Sequence, residues 1–158
     1  MNGQRKRRQV LNEMKLSFPA RSANEAFARV SVAAFAAQLD PDMAEITELK
    51  TAISEAVTNC VVHAYQQHIG MVYITATLYE DAYIRIRIRD KGCGIDDVKQ
   101  AMQPLYSGGE EDGTERAGMG FTIMQSFTDS LRVSSKPGAG TTVTMYKKIR
   151  QKDVEKHA

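Results

Sequence analysis

The sequence predicts an α+β fold, a two-layer sandwich in which a mainly antiparallel sheet is covered on one face by helices. Residues 83–89 read Tyr-Ile-Arg-Ile-Arg-Ile-Arg. This strict period of two puts isoleucines on one side of a strand and arginines on the other. Glu80-Asp81 turns that strand back on residues 72–78, where Val72, Ile74, Ala76 and Leu78 alternate with Tyr73, Thr75 and Thr77, as in a hairpin. Ahead of the hairpin lie two segments with helical periodicity, which supply the covering layer.

The 158-residue chain fits one domain around a single core, expected over 12–149. With 42% hydrophobic and 25% charged residues it has the composition of a soluble globular protein. A net charge of +2 is too small to make nucleic acid or acidic lipid the main partner. No apolar run is long enough to span a bilayer, and no signal peptide is evident, so no membrane association is expected. Cys60 and Cys93 form neither a CxxC pair nor a metal-ligand spacing. A cytoplasmic protein with reduced thiols is the expectation.

Taken in order, Arg5-Lys6-Arg7-Arg8 belongs to a basic, disordered arm over 1–11. A strand starts near Asn12, with Met14, Leu16 and Phe18 alternating inward, and Pro19 ends its pairing. Ser22 and Glu25 have capping-box spacing and open a helix whose stripe is Phe27, Val30, Ala34 and Phe35, reaching about Leu39. Arg29 falls off that stripe. Asp40-Pro41 then supplies an N-cap and a first-turn proline for a second helix running to about Gln66. Its apolar face is Ile46, Leu49, Ile53, Val57, Cys60 and Ala64; Glu55, Asn59 and His63 share the opposite face at i, i+4 spacing. A carboxylate, an amide and an imidazole in one row can orient a metal, a water or a hydroxyl, although a solvated helix face carries the same residue types.

After the hairpin, Ile84, Ile86 and Ile88 face the core, and Arg85, Arg87 and Arg89 read as the solvent face of a one-side-covered sheet rather than a nucleic-acid stripe. The strand ends in Asp90-Lys91-Gly92-Cys93-Gly94, a turn whose glycines let a ligand approach the backbone and whose Asp90 can accept from an exocyclic amine. Asp96 or Asp97 caps a short helix through about Met102. Residues 107–116 are polar, Gly-rich and aperiodic, the character of a lid. They lead to Gly118-Met119-Gly120 at the head of a helix, where exposed N–H groups suit phosphates. No Gly-Lys-Ser/Thr follows, so this is no Walker A loop, and no strand feeds it directly, so it is no Rossmann turn. Strands over 130–135 and 141–148, joined by Lys136-Pro137-Gly138-Ala139-Gly140, precede a charged, frayed tail, 150–158.

In order, then, the chain holds Glu55 and Asn59 on a helix, Asp90-x-Gly92-x-Gly94 after a strand, a polar loop, Gly118-x-Gly120, and Gly140-Thr141-Thr142. This set, covering nearly the whole chain, resembles the GHKL, or Bergerat-fold, ATP-binding proteins. Within that superfamily the chain is similar to the small anti-sigma serine kinases. Ser54-Glu55-Ala56-Val57-Thr58-Asn59, Ala26-Phe27-Ala28-Arg29-Val30, Ala33-Ala34-Phe35, Gln38-Leu39-Asp40-Pro41 and Gly118-Met119-Gly120-Phe121-Thr122-Ile123-Met124 resemble those that act in sporulation.

The resemblance implies a cofactor, ATP with Mg²⁺, and a role for each matching residue. Asn59 would hold the Mg²⁺, and Glu55 would be the general base toward a serine hydroxyl. Asp90 would accept from the adenine amine with help from the Thr141 hydroxyl, and Gly92 and Gly94 would admit the adenine edge. Gly118, Met119 and Gly120 would cradle the phosphates, and Arg116 would neutralise γ-phosphate charge. His63 would be a supporting or packing residue, and Arg29 would contact a partner protein. The implied function is an ATP-bound homodimer, joined through its first strand and helix, that sequesters a sporulation sigma factor (sigma-F) and phosphorylates a serine of an anti-anti-sigma protein. The alternatives are a stress-response anti-sigma kinase and a nucleotide-gated sequestering module without kinase activity. The lid, with Ser107-Gly108-Gly109 and Glu110-Glu111-Asp112, departs from the family's usual pattern.

Overall fold

The computed structural model describes residues 7–103 and 119–150. Its strands are β1 (Val10–Pro19), β2 (Met71–Tyr79), β3 (Tyr83–Asp90), β4 (Ser130–Lys136) and β5 (Gly140–Lys148), and its helices α1 (Ala23–Ala36), α2 (Met43–Asn59), α3 (Val98–Ala101) and α4 (Gly120–Phe127). The five strands form one sheet in the order β1-β2-β3-β5-β4, antiparallel throughout. The expected α+β architecture, one sheet with helices on one face, is what the chain adopts.

Register shows how the two faces arise. Leu16, Ile74, Ile88, Val143 and Val133 lie opposite one another across all five strands and point under the helices. One residue along, Lys15, Thr75, Arg87, Thr144 and Arg132 form the neighbouring row, and side-chain alternation turns it to the other face. Helix α2 lies on the apolar face with Leu49, Ala52, Ile53, Ala56 and Val57 fully buried, flanked by α1 and α4. Its alanines let neighbouring backbone come close, and its leucine and isoleucine fill the sheet's hollows. One cation turns inward: Lys147 Nζ meets Glu48 Oε2 at 2.8 Å and the Phe127 carbonyl at 2.9 Å, tying β5 to α2 and α4.

Several local expectations are corrected. Helix α1 buries Ala28, Val32, Ala33 and Ala36, while Phe27 and Val30 are 51% and 55% exposed. The small residues form the packing stripe because α1 lies close to α2, and Phe27 instead stands edge-on to Phe18 with centroids 6.3 Å apart. Ser22 is itself helical and caps nothing with its side chain. Glu25, its expected partner, instead accepts from Thr58 Oγ1 at 3.0 Å. The N-cap of α2 is Asp42, not Asp40: Asp42 Oδ1 accepts from Glu45 N at 2.7 Å, and Glu45 Oε1 accepts from Asp42 N at 3.0 Å. Asp40 has φ 53° and ends the 3₁₀ turn Ala37–Leu39. The α-helical part of α2 stops at Asn59 and a π-helical turn, Cys60–Ala64, follows. Strand β1 begins at Val10 rather than near Asn12, and Arg8 stacks over Tyr83 while pairing with Asp81 at 2.9 Å. On the outer face Arg87 and Arg89 are exposed as expected, but Arg85 is half-buried. The short helix is capped by Asp97, whose Oδ1 accepts from Gln100 N at 3.0 Å.

Candidate functional site

Glu55 and Asn59 sit one turn apart near the end of α2, facing α4. Gly120 opens α4 directly against them: a β-carbon there would lie 3.4 Å from Glu55 Oε2 and 3.4 Å from Asn59 Oδ1. The positive end of the α4 dipole and its unsatisfied first N–H groups therefore adjoin a carboxylate and an amide. His63 does not complete the row. The π turn adds a residue after Asn59, and His63 is exposed, its carbonyl 3.4 Å from Cys93 Sγ.

Asp90 closes β3 on the other side of the π turn and is only 6% exposed. Its Oδ1 accepts from Gly92 N at 2.9 Å and from Thr141 N at 3.2 Å. Its Oδ2 accepts from the Cys60 thiol at 3.6 Å. Thr141 meets Asp90 through its amide, and its hydroxyl lies 2.8 Å from Ser135 Oγ. Gly92 is required by packing, because a β-carbon there would strike the Ala64 carbonyl. Gly94 has φ +75° and passes equally close to the Lys136 carbonyl. The turn after β3 is thus wedged between the π turn and the β4–β5 connection.

Three contributors were not legible as such in the sequence. Cys60 reads as a core residue but orients a carboxylate. Tyr65 Oη donates to the Met71 carbonyl at 2.7 Å and accepts from Lys91 N at 2.7 Å, holding the turn from behind. Ser135 Oγ accepts from Ile95 N at 2.8 Å. Each joins positions far apart in the chain, so no local spacing marks them. Burial pushes the Cys60 thiol up, and the Asp90 charge pushes it further, so it stays protonated and remains a donor. Burial likewise raises Tyr65.

On the far side of Glu55 a cleft of about 580 Å³ opens between α1, α2 and α4, lined by Arg29, Lys50, Thr51, Ser54, Met119 and Ile123, among others. Arg29 Nη1 stands 3.6 Å from Glu25 Oε1. Arg116 and Gly118 lie outside the described residues, as does the rest of the expected lid, 107–116.

Among the described residues no cluster of three or more His, Cys, Asp or Glu side chains could hold a metal unaided. Asn59 offers one amide oxygen, which fits a Mg²⁺ that keeps several waters and takes its remaining ligands from phosphates.

A family model described as the histidine kinase-like ATPase domain matches residues 18–147. That span takes in every candidate from Arg29 to Thr141. The anti-sigma F factor of Caldanaerobacter subterraneus subsp. tengcongensis is 55% identical over 87% of this chain and 94% of its own. The anti-sigma F factor of Bacillus subtilis is 52% identical over 87% and 93%. The chain belongs to the anti-sigma F factor family. Its class is therefore that of an anti-sigma factor and ATP-dependent protein serine kinase, built on an ATP-binding domain. The fold is shared more widely than the family. A crystal structure of RsbU and RsbW domains from Mycobacterium tuberculosis superposes with TM-score 0.62 at 19% identity, covering 87% of this chain and 32% of that one. Among the described residues of this anti-sigma F family member, no helix is long and apolar enough to cross a membrane.

Proposed function

We propose that the chain, with ATP and Mg²⁺ bound, sequesters a sporulation sigma factor in the cytoplasm and phosphorylates a serine of an anti-anti-sigma protein. The observation that carries the kinase reading is the seating of Gly120 against Glu55 and Asn59, both 3.4 Å from where a β-carbon would be. Phosphoryl transfer asks little covalent work of a protein; it needs the phosphates positioned, their charge offset, and a base near the attacking hydroxyl.

On this reading Asp90 accepts from the adenine amine, with Gly92 and Gly94 beside it and Thr141 holding the carboxylate through its amide and assisting at the adenine with its hydroxyl. The N–H groups of Gly118, Met119 and Gly120 cradle phosphate oxygens. The Mg²⁺ held at Asn59 would offset charge on those oxygens. Glu55 takes the proton from the serine hydroxyl, and Arg116 steadies the charge on the group in transfer. Arg29, on the wall of the cleft that adjoins Glu55, contacts the partner protein. Membership of the anti-sigma F family favours the sporulation reading over a stress-response one.

Homodimerisation through β1 and α1 is part of the same proposal. Among the described residues the outer edge of β1 is unpaired in the sheet, and Val10, Leu11, Phe27 and Val30 are each more than half exposed beside it. A second copy of the chain would cover both.

The test is transfer of label from γ-labelled ATP with Mg²⁺ to a candidate anti-anti-sigma protein, beside Glu55→Ala. Label on the partner's serine, lost in the variant while ATP binding survives, supports the assignment. Unlabelled partner despite tight ATP binding would reduce the function to nucleotide-gated capture of sigma.

A further inference from the structure

The Asp90 carboxylate has about four lone-pair sites, and three donors among the described residues point at it. Two backbone N–H groups, from Gly92 and Thr141, fill Oδ1 at 2.9 and 3.2 Å. Among the described residues Oδ2 has a single protein donor, the Cys60 thiol at 3.6 Å. Backbone amides occur at every residue, so the Oδ1 contacts depend on chain path alone. The Oδ2 contact depends on the side chain at position 60.

That side chain is placed by two features already described. Cys60 is the first residue of the π turn, its N–H still bonded back to Ala56 and Val57, and its thiol reaches Asp90 at the end of β3. The Gly92 backbone then packs on the Ala64 carbonyl, and Cys93 N donates to it at 2.9 Å, so the β3 end cannot move away from the turn. Cys60 is only 3% exposed. Among the described residues Asp90 is the one polar group the thiol contacts.

We propose that Cys60 is a positioning residue for base recognition: by donating to Asp90 Oδ2 it leaves that oxygen one acceptor site, held in a fixed direction for the exocyclic amine of the nucleotide. The inference rests on the reading of Asp90 as the adenine acceptor. Its consequence is specific. Without the thiol, the carboxylate keeps its Oδ1 anchor but can rotate about it, and Oδ2 is left with an unfilled lone pair in a site nearly closed to water. Recognition of an amino group would suffer, whereas binding of the triphosphate would not.

The experiment compares Mg²⁺-ATP with Mg²⁺-purine riboside triphosphate, which lacks the amino group, by calorimetric titration of wild type, Cys60→Ala and Cys60→Ser. The expected result is an ATP affinity about 5–10-fold lower in Cys60→Ala, with the analogue changed less than about twofold and with Cys60→Ser close to wild type, since its hydroxyl also donates. An equal loss for both nucleotides would mark a packing role and overturn the inference, as would no loss for either. Should wild type itself bind both nucleotides equally, the reading of Asp90 would fail, and the role of Cys60 with it. Thermal melts of the variants separate misfolding from altered recognition, and Cys60→Val, which fills the site without a donor and is expected to show the same selective loss of ATP affinity, carries the test if Cys60→Ala is unstable.

Discussion

Lys147 crosses from the sheet into the helical layer, its Nζ 2.8 Å from Glu48 Oε2 and 2.9 Å from the Phe127 carbonyl. The lysine side chain is 10% exposed and Glu48 is 39% exposed, so the pair is only half desolvated. Removing the cation leaves the Phe127 carbonyl at the end of α4 short of a donor, while Glu48 can still turn to water. Lys147→Ala is expected to lower stability by about 1–3 kcal/mol, less than for a fully buried pair. Glu48→Ala should cost less. Urea unfolding of both variants checks the order.

The two candidate caps make opposite predictions. Asp42 makes a reciprocal box with Glu45, whereas Ser22 has no side-chain cap bond. Asp42→Ala should cost about 1–2 kcal/mol, and Ser22→Ala should stay within about 0.5 kcal/mol of wild type. Equal effects in chemical denaturation would contradict the cap geometry.

Gly120→Ala puts a methyl group 3.4 Å from both Glu55 and Asn59. At the head of a helix the substitution leaves stability unchanged or slightly raised. In the cleft it crowds the carboxylate and amide and displaces whatever approaches them. Phosphoryl transfer should fall more than about tenfold without loss of melting temperature, as when groups are moved out of reacting geometry. Steady-state transfer measured alongside a thermal melt decides it.

Asp90→Asn keeps an oxygen for the Gly92 and Thr141 amides. Its amide nitrogen then replaces Oδ2, presenting a donor where an amine needs an acceptor. ATP affinity should drop by about tenfold or more, with a small change in stability, because the charged acceptor is lost and two donors face each other. Fluorescent-nucleotide titration reads the loss.

The pH dependence of stability carries the signature of the buried thiol. Folding raises the Cys60 thiol above its ordinary value of 9.0, so the unfolded chain loses that proton first as pH rises. The contribution is complete below pH 9.0 and is lost above it. From about pH 9 upward, wild type should lose about 1.4 kcal/mol per pH unit more than Cys60→Ser. Parallel stability curves for the two proteins would show that the thiol is not held protonated by the fold.

Much of the fold was legible because burial imposes a period. The isoleucines of β3 had to face one way, and the Leu49-Ile53-Val57 stripe had to meet them. Where side chains are small or caps compete, period says less. Phe27 and Val30 look like a core stripe on α1, yet alanines pack there because helix–helix distance, not hydrophobicity, selects them. The sequence points to Asp40 as the cap of α2; its left-handed backbone ends the preceding turn instead, and Asp42 serves.

The site divides the same way. The sequence alone determined that one helix face carries Glu55 and Asn59, since an i, i+4 spacing is a property of the helix itself. It also placed Asp90 and its glycines at a strand end. Only the tertiary structure decided that α4 begins against Glu55 and Asn59, that a π turn carries His63 out of the row, and that Cys60 and Thr141 converge on Asp90. Those contacts join residues thirty and fifty-one positions apart. Such distances are closed by burying a shared apolar sheet face, and that packing, rather than local preference, sets which polar atoms meet.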